Sequence, residues 1–332
     1  MDLGRAGAAR VTTDSAPGER VRLLVRELVD DAGLFPPTTL PMAEAVERYR
    51  ADAQAGLPML SHRFLCPASR VAELLGLLRS GDRFALGLIA DRGAEGLARD
   101  VSALAADPRV RLAHLELPLA AFLSERDGGD TQAALGRALT ALAEVPSGVP
   151  AYVEPAVRAA SRPLLTALTA RAEPGTRPLG AKLRCGGVRA GLFPTPGEVA
   201  DFVLDCVASG VPFKATAGLH EAVRHTDPAT GFTHHGFLNL LLATAEAVSG
   251  GGRESVLAVL RTEDGGALAA RARALSTREA RATRAVLVSY GSCSTARPVL
   301  QAEAVLRPGP ASPDTTGTGG GPPGTGLKEE NV

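Results

Sequence analysis

GAKLRCGGVRAGLFPTPGEVADFVLDCVASGVPFKATAG, residues 180–218, reads as strand, amphipathic helix, strand. The runs GAKLRC (180–185) and PFKATAG (212–218) are short and alternate in character, as strands do. Between them TPGEVADFVLDCVASG (195–210) spaces its apolar residues at helical intervals, with Pro196 suited to a first helical position and Gly210 to a stop. A strand, a helix and a second strand in so short a stretch form a βα unit of a parallel sheet.

The same rhythm extends outward. Strand-like runs fall at MLSHRFL (59–65), RFALGLIAD (83–91), VRLAHLEL (110–117) and PAYVEP (150–155), and amphipathic helices at ASRVAELLGLLRSG (68–81) and DTQAALGRALTALAEV (130–145). Two later runs, ESVLAVLRTED (254–264) and RAVLVSYGSCS (284–294), read as strands or helices; if both are strands the count is eight and the sheet closes. The expected fold is therefore α/β, a (β/α)8 TIM-type barrel. An open doubly wound parallel sheet is the alternative, but no GxGxxG or GxxxxGK[ST] loop follows the first strand-like run. A helical N-terminal extension precedes the barrel: one helix from Pro17, with Val21, Leu24, Val25 and Leu28 on one face, is broken by GLFPP (33–37), and another runs from Pro41 to Ala55. Three segments result: a flexible N-terminus over 1–16, one barrel domain over 17–306, and a disordered Gly/Pro/Thr-rich tail over 307–332, which has too few large apolar residues to offset its ordering entropy.

Charge and composition exclude several partners. With 36 basic and 36 acidic residues the net charge is zero, so no nucleic acid is expected as a partner. No apolar run approaches the roughly 20 residues of a spanning helix, so no membrane is expected. Four cysteines are no disulfide framework in a chain of 332 residues, and without a signal-like segment the expected location is cytoplasmic. Oligomeric state and substrate identity are not encoded in any readable feature.

Strand parity gathers the chemistry. His114 and Glu116 share a face opposite Ala113, Leu115 and Leu117; Tyr152 and Glu154 oppose Ala151 and Val153; Lys182 and Arg184 oppose Ala181, Leu183 and Cys185; Lys214 and Thr216 oppose Phe213 and Ala215. In a closed barrel the ionisable face points inward, and polar groups near the strand ends mark a site at the C-terminal mouth. Lys182, Lys214 and Lys328 are the chain's three lysines among 36 basic residues, so the two on strands stand out as amines for carbonyl chemistry. Two ammonium groups about 4 Å apart repel by roughly 4 kcal/mol at an effective dielectric near 20, which would push one toward its neutral, nucleophilic form. Lys214 is read as the Schiff-base lysine and Lys182 as its tuner, with the reverse assignment close behind. Glu116, Glu154 and His220 are candidate proton carriers. Arg184, Thr216, His114, Tyr152, Ser292 and Ser294 are candidate contacts to a small anionic substrate, a carboxylate or phosphate. No cofactor is expected.

PFKATAGLH (212–220) resembles the Lys-Thr-Ser-Thr-Gly strand of deoxyribose-phosphate aldolases, (β/α)8 enzymes in which such a strand bears a Schiff-base lysine. That family carries its second lysine on the strand after the nucleophile, whereas Lys182 lies on the strand before Lys214. KLRCGG (182–187), PFKATAGLH (212–220), HGFLNLLL (235–242) and YGSCS (290–294) together resemble a bacterial protein family of unassigned activity, over residues 31–300. The family resemblance implies a shared fold and site, and the two strand lysines with the aldolase-like strand point to a lyase of aldolase type. The alternatives are a metal-assisted or cofactor-free isomerase or hydrolase on the same barrel, and a non-catalytic anion-binding protein.

His220, His225, His234 and His235 cluster in sequence but match no zinc spacing. They read instead as a loop that could cover the mouth. GSCS (291–294), ahead of a potential helix, suits either an anion site or a helix cap by Ser294 or Thr295. Cys185 faces the helices as a small apolar residue, and Cys293 has no partner base evident in sequence.

Overall fold

The computed structural model describes residues 17–156, 161–171 and 175–307. The expected flexible N-terminus and all of the expected tail except Arg307 lie outside those residues. Eight parallel strands close into a barrel: β1 (Val29–Asp31), β2 (Leu60–Pro67), β3 (Phe84–Ile89), β4 (Val110–Pro118), β5 (Ala151–Glu154), β6 (Leu179–Arg184), β7 (Phe213–Thr216) and, last in the chain, β10 (Leu287–Ser292). Each pairs with its sequence neighbours, and β1 seals the ring against β10 through Val29–Tyr290, Asp30–Gly291 and Asp31–Ser292. The chain therefore has a (β/α)8 TIM-type fold, and closure removes the open-sheet alternative.

The register of the strands differs from the expected one at one place. ESVLAVLRTED is not a strand: it forms helix α9 (Arg253–Arg261), whose buried face is Val256, Leu257, Val259 and Leu260. Those positions follow i, i+1, i+3, i+4, a helical stripe within a β-rich composition. The missing strand is β1, whose three residues VDD are all buried. Of the expected N-terminal extension only α1 (Pro17–Val25) precedes the barrel; α2 (Met42–Ala55) is the ordinary helix between β1 and β2.

The outer face of each strand meets the helices. Leu115, Leu117, Ala151, Val153, Ala181, Leu183, Cys185, Phe213 and Ala215 all belong to one apolar core shared with the helical layer. Helix α7 (Pro196–Ser209) shows why the sequence terminates cleanly. Thr195 and Glu198 form a reciprocal capping box at its start, and Gly210 closes it with φ 64°. Beyond β6 and β7 the chain turns off the barrel at glycines that nearly touch: a Cβ on Gly218 (φ 72°) would sit 2.9 Å from the Cys185 carbonyl oxygen, and one on Gly186 would sit 2.9 Å from the Gly218 Cα. Among the described residues no helix is long and apolar enough to cross a membrane.

Between β7 and β10 the chain departs from the simple repeat. A small hairpin of β8 (His225–Thr226) and β9 (Thr233–His234) lies over the mouth side, followed by α8 (Phe237–Val248), α9, α10 (Gly265–Ala274) and α11 (Thr277–Val286). After β10 comes α12 (Ala296–Leu306). Asn239 ties the excursion down, accepting from the Arg224 N–H and donating to the carbonyls of Val259 and Thr262.

The face assignment has a direct stability consequence. Leu115→Ala, which empties a fully buried outer position on β4, is expected to cost about 2–5 kcal/mol in urea unfolding. Leu300→Ala, on the exposed side of α12, should stay within about 0.5 kcal/mol.

Candidate active site

The inward faces of six strands converge on one buried ionic cluster. Lys214 on β7 places Nζ 2.7 Å from Asp30 Oδ2 on β1, 2.7 Å from Glu116 Oε1 on β4, and 2.5 Å from His114 Nε2. Lys182 on β6 places Nζ 2.7 Å from the other oxygen of Glu116, Oε2, and 2.9 Å from Glu154 Oε2 on β5. Arg184 Nε donates to Glu154 Oε1 at 2.8 Å. At the far side Asp30 accepts from Arg63 Nε on β2 at 2.8 Å and from the hydroxyls of Ser61 and Ser289. Glu116 thus bridges two ammonium groups, one on each carboxylate oxygen. Within this cluster Asp30, Glu116 and Glu154 face Arg63, Lys182, Arg184 and Lys214, so one positive charge is unmatched.

The electrostatics correct the expected activation by crowding. Lys182 and Lys214 are register partners on adjacent strands, as expected, but carboxylates stand between the amines. Burial disfavours the Lys182 ammonium, yet Glu116 and Glu154 outweigh it and raise the pKa above the ordinary lysine value. The resting amine is a cation. On the acidic side burial opposes ionisation of Glu116, but Lys182 and Lys214 hold its carboxyl well below the usual range. Asp30 is lowered against burial by Arg63 and Lys214, and Glu154 by Lys182 and Arg184. His114 moves the other way. Burial, reinforced by Lys214, lowers it to about 4, so its imidazole is neutral, with Nε2 between the Lys214 Nζ at 2.5 Å and Glu116 Oε1 at 3.1 Å.

A cavity of about 270 Å³ sits over the cluster at the C-terminal mouth. Glu154, Lys182, Arg184, Thr216, His220 and Cys293 give it a polar wall; Ala32, Phe35, Leu65 and Ile89 give it an apolar one. Lys182, Glu154 and Arg184 also border a neighbouring space of about 570 Å³ beside Ser161 and Glu198. On the opposite side His220 and Cys293 border an outer cleft of about 850 Å³ that reaches Arg224, Ser294 and Arg297.

The residues named from sequence divide into three groups. Lys182, Glu154, Arg184, Thr216 and His220 line the cavity. Lys214, Glu116, His114 and Tyr152 lie outside its lining, within the barrel: Lys214 and Glu116 are almost fully buried, and Tyr152 packs edge-on against His114 with the Lys214 Nζ 5.5 Å from its ring centroid. Ser292 and Ser294 belong to neither layer. Buried Ser292 donates its hydroxyl to the Ser294 carbonyl, and Ser294 accepts from the Arg297 N–H, which makes the serine a cap for α12. The clustered histidines separate too. His235 is buried with Nε2 on the Pro194 carbonyl, and His225 and His234 stack in the hairpin at 5.1 Å, leaving His220 on the cavity wall. Among the described residues no three His, Cys, Asp or Glu side chains are grouped to hold a metal.

Asp30 and Arg63 extend the buried cluster within the barrel and the Cys293–His220 contact lies on the cavity wall, and none of the three is evident in the sequence. Asp30 sits on a strand too short to show alternation. Arg63 has the correct parity within MLSHRFL but no visible partner there. No family model matches the chain, and no curated protein matches it. What fold and site define is a TIM-type barrel whose C-terminal mouth opens onto a buried lattice of lysines and carboxylates.

His114 sets a pH limb in stability. Its folded pKa of about 4 lies below the ordinary value of 6.5, so between those values the unfolded chain binds a proton that the folded chain does not. The unfolding free energy should therefore fall as pH drops from 6.5 toward 4, by on the order of 3 kcal/mol. Below that, protonation of the lowered carboxylates should add a further loss. Urea midpoints across this range should show the upper limb in the native chain and its disappearance in His114→Gln; parallel curves for the two would contradict the assignment.

Proposed function

We propose that the mouth is the active site of a lyase of aldolase type, in which Lys182 forms a Schiff base with a small carbonyl compound carrying a carboxylate or phosphate. The observation that supports this most is the position of the two amines: Lys182 borders the cavity whereas Lys214 does not. That favours the reverse of the first assignment, with Lys182 as nucleophile and Lys214 as the fixed charge behind it. In this order the strand that resembles the Schiff-base strand of the deoxyribose-phosphate aldolases, PFKATAG, carries the second lysine instead of the nucleophile. A volume of about 270 Å³ suits a substrate of a few carbon atoms.

The chemistry follows from the shared carboxylates. Glu154 is divided between Lys182 and Arg184, and Arg184 is the more exposed of the two cations. A substrate anion that takes the guanidinium weakens its hold on Glu154, and the released carboxylate becomes basic enough to accept the Lys182 proton. The neutral amine attacks the carbonyl carbon, and Glu154 returns the proton to the carbinolamine oxygen so that water leaves. The resulting iminium withdraws electrons from the neighbouring carbon–carbon bond. When a base such as His220 removes the proton from the β-hydroxyl, that bond breaks to an aldehyde and an enamine, which is reprotonated and hydrolysed to free Lys182. Lys214, locked by Asp30 and Glu116, contributes positive potential toward an anionic substrate without changing partner.

Borohydride reduction in the presence of small 2-ketoacids or phosphorylated aldehydes tests the reading. An intact-mass adduct should map to Lys182, disappear in Lys182→Met, and need about 10–100-fold more substrate in Arg184→Ala, the range for loss of one charge-assisted contact. With three lysines in the chain the mapping is unambiguous. No adduct with any of these carbonyl compounds, or one confined to Lys328, would overturn it.

A further inference from the structure

The four cysteines do not share one environment. Cys66, Cys185 and Cys206 are packed in the core, and burial pushes the first two thiols up to about 12 and the third higher still. Cys293 follows β10, on the wall shared by the inner cavity and the outer cleft. Its Sγ lies 3.8 Å from Nδ1 and 3.9 Å from Nε2 of His220, nearly equidistant from the two ring nitrogens and within sulfur hydrogen-bond reach of both. Burial works to raise this thiol too, but His220, joined by Thr38, brings it below the usual value. Helix α12 begins just downstream, and a helix N-terminus favours a thiolate in the same way.

The segment is held in place. Arg48 of α2 donates to the Cys293 carbonyl at 2.8 Å and is itself paired with buried Asp31 of β1. Thr38, which follows β1 in the loop to α2, lies beside the sulfur with its backbone and side-chain donors. A base, a fixed nucleophile, nearby donors and an open cleft of about 850 Å³ are the components of covalent acyl transfer.

We infer that Cys293 and His220 form a second reactive centre, a thiol nucleophile with its general base, that accepts acyl groups from esters or thioesters entering by the outer cleft. His220 takes the thiol proton as Sγ bonds to the acyl carbon and the carbonyl opens to an oxyanion beside the Thr38 donors. Collapse of that intermediate breaks the bond to the alkoxide, aryloxide or thiolate, which leaves with the proton from His220. Water, deprotonated by His220, then cleaves the thioester and restores the thiol. No oxidant or reductant is consumed. The centre does not depend on Schiff-base chemistry at Lys182.

Two measurements on the native chain test it. Iodoacetamide should label Cys293 ahead of the other three cysteines, with a rate–pH midpoint below the ordinary thiol value near 8.5. p-Nitrophenyl acetate should give a burst of nitrophenolate equal to the protein concentration, with an acetyl group on Cys293 by peptide mass mapping. Cys293→Ser should lose the burst, and His220→Asn should slow alkylation at pH 7 by about tenfold, the equivalent of one pKa unit. A midpoint at or above 8.5, absence of the burst, or acetylation at another residue would overturn the inference in the native chain, whatever the variants' folding. An unchanged alkylation rate in a folded His220→Asn would remove the base.

Discussion

Glu116 spans two strand lysines with one carboxylate, and the interior of the barrel is built around that sharing. Its two oxygens are each 2.7 Å from a different Nζ, so the charges that would repel across adjacent strands are instead joined. Transfer of each of these ions out of water costs several kcal/mol before pairing. The return from pairing depends on every member being in place, because removing one leaves an uncompensated charge where dielectric screening is weak. Barrel interiors are ordinarily filled by branched apolar side chains. Here the middle of the barrel holds His114, Glu116, Tyr152, Lys182 and Lys214, and room for them is made elsewhere: a Cβ on Gly87 of β3 would lie 2.4 Å from the His114 ring. A core that served stability alone would have no need of such an arrangement.

Most of the barrel can be read from alternation. On β4, β5 and β6 parity placed apolar side chains outward and ionisable ones inward, as Leu115/Glu116, Val153/Glu154 and Leu183/Lys182 show. Parity has no purchase on β1, where Val29, Asp30 and Asp31 are all buried and two consecutive acids resemble a loop. It also misleads at 254–264, where β-branched and aliphatic residues suggest a strand until the helical stripe of Val256, Leu257, Val259 and Leu260 is weighed. The count of eight survived because one error replaced the other.

The buried ionic cluster was legible in membership but not in pairing. Sequence spacing brings Lys182, Lys214, Glu116 and Glu154 to one face, yet which carboxylate meets which amine depends on barrel shear and on side-chain reach, neither of which is encoded in a local pattern. The sign of the Lys182 shift depended on that missing information: two amines alone depress one another, whereas Glu116 and Glu154 beside Lys182 outweigh its burial and keep it charged. Cys293 is the same kind of case. His220 stands on the loop after β7, distant in sequence, and the pairing of β7 with β10 brings GSCS beside it.

The shortest strand of the barrel connects the ionic cluster to the Cys293 segment. Within VDD, Asp30 turns inward to hold Lys214, while Asp31 turns toward α2 and holds Arg48, which in turn holds the Cys293 carbonyl. Burial raises the Asp31 pKa despite the guanidinium beside it, whereas the several cations around Asp30 lower that carboxyl against the same burial. β1 is also the strand that closes the ring between β2 and β10. Displacement of β1 by a fraction of an ångström would therefore alter the charge behind Lys182 and the position of the thiol together. The ionic cluster and the Cys293 segment share a cavity wall and one anchoring strand, the same three residues that complete the fold.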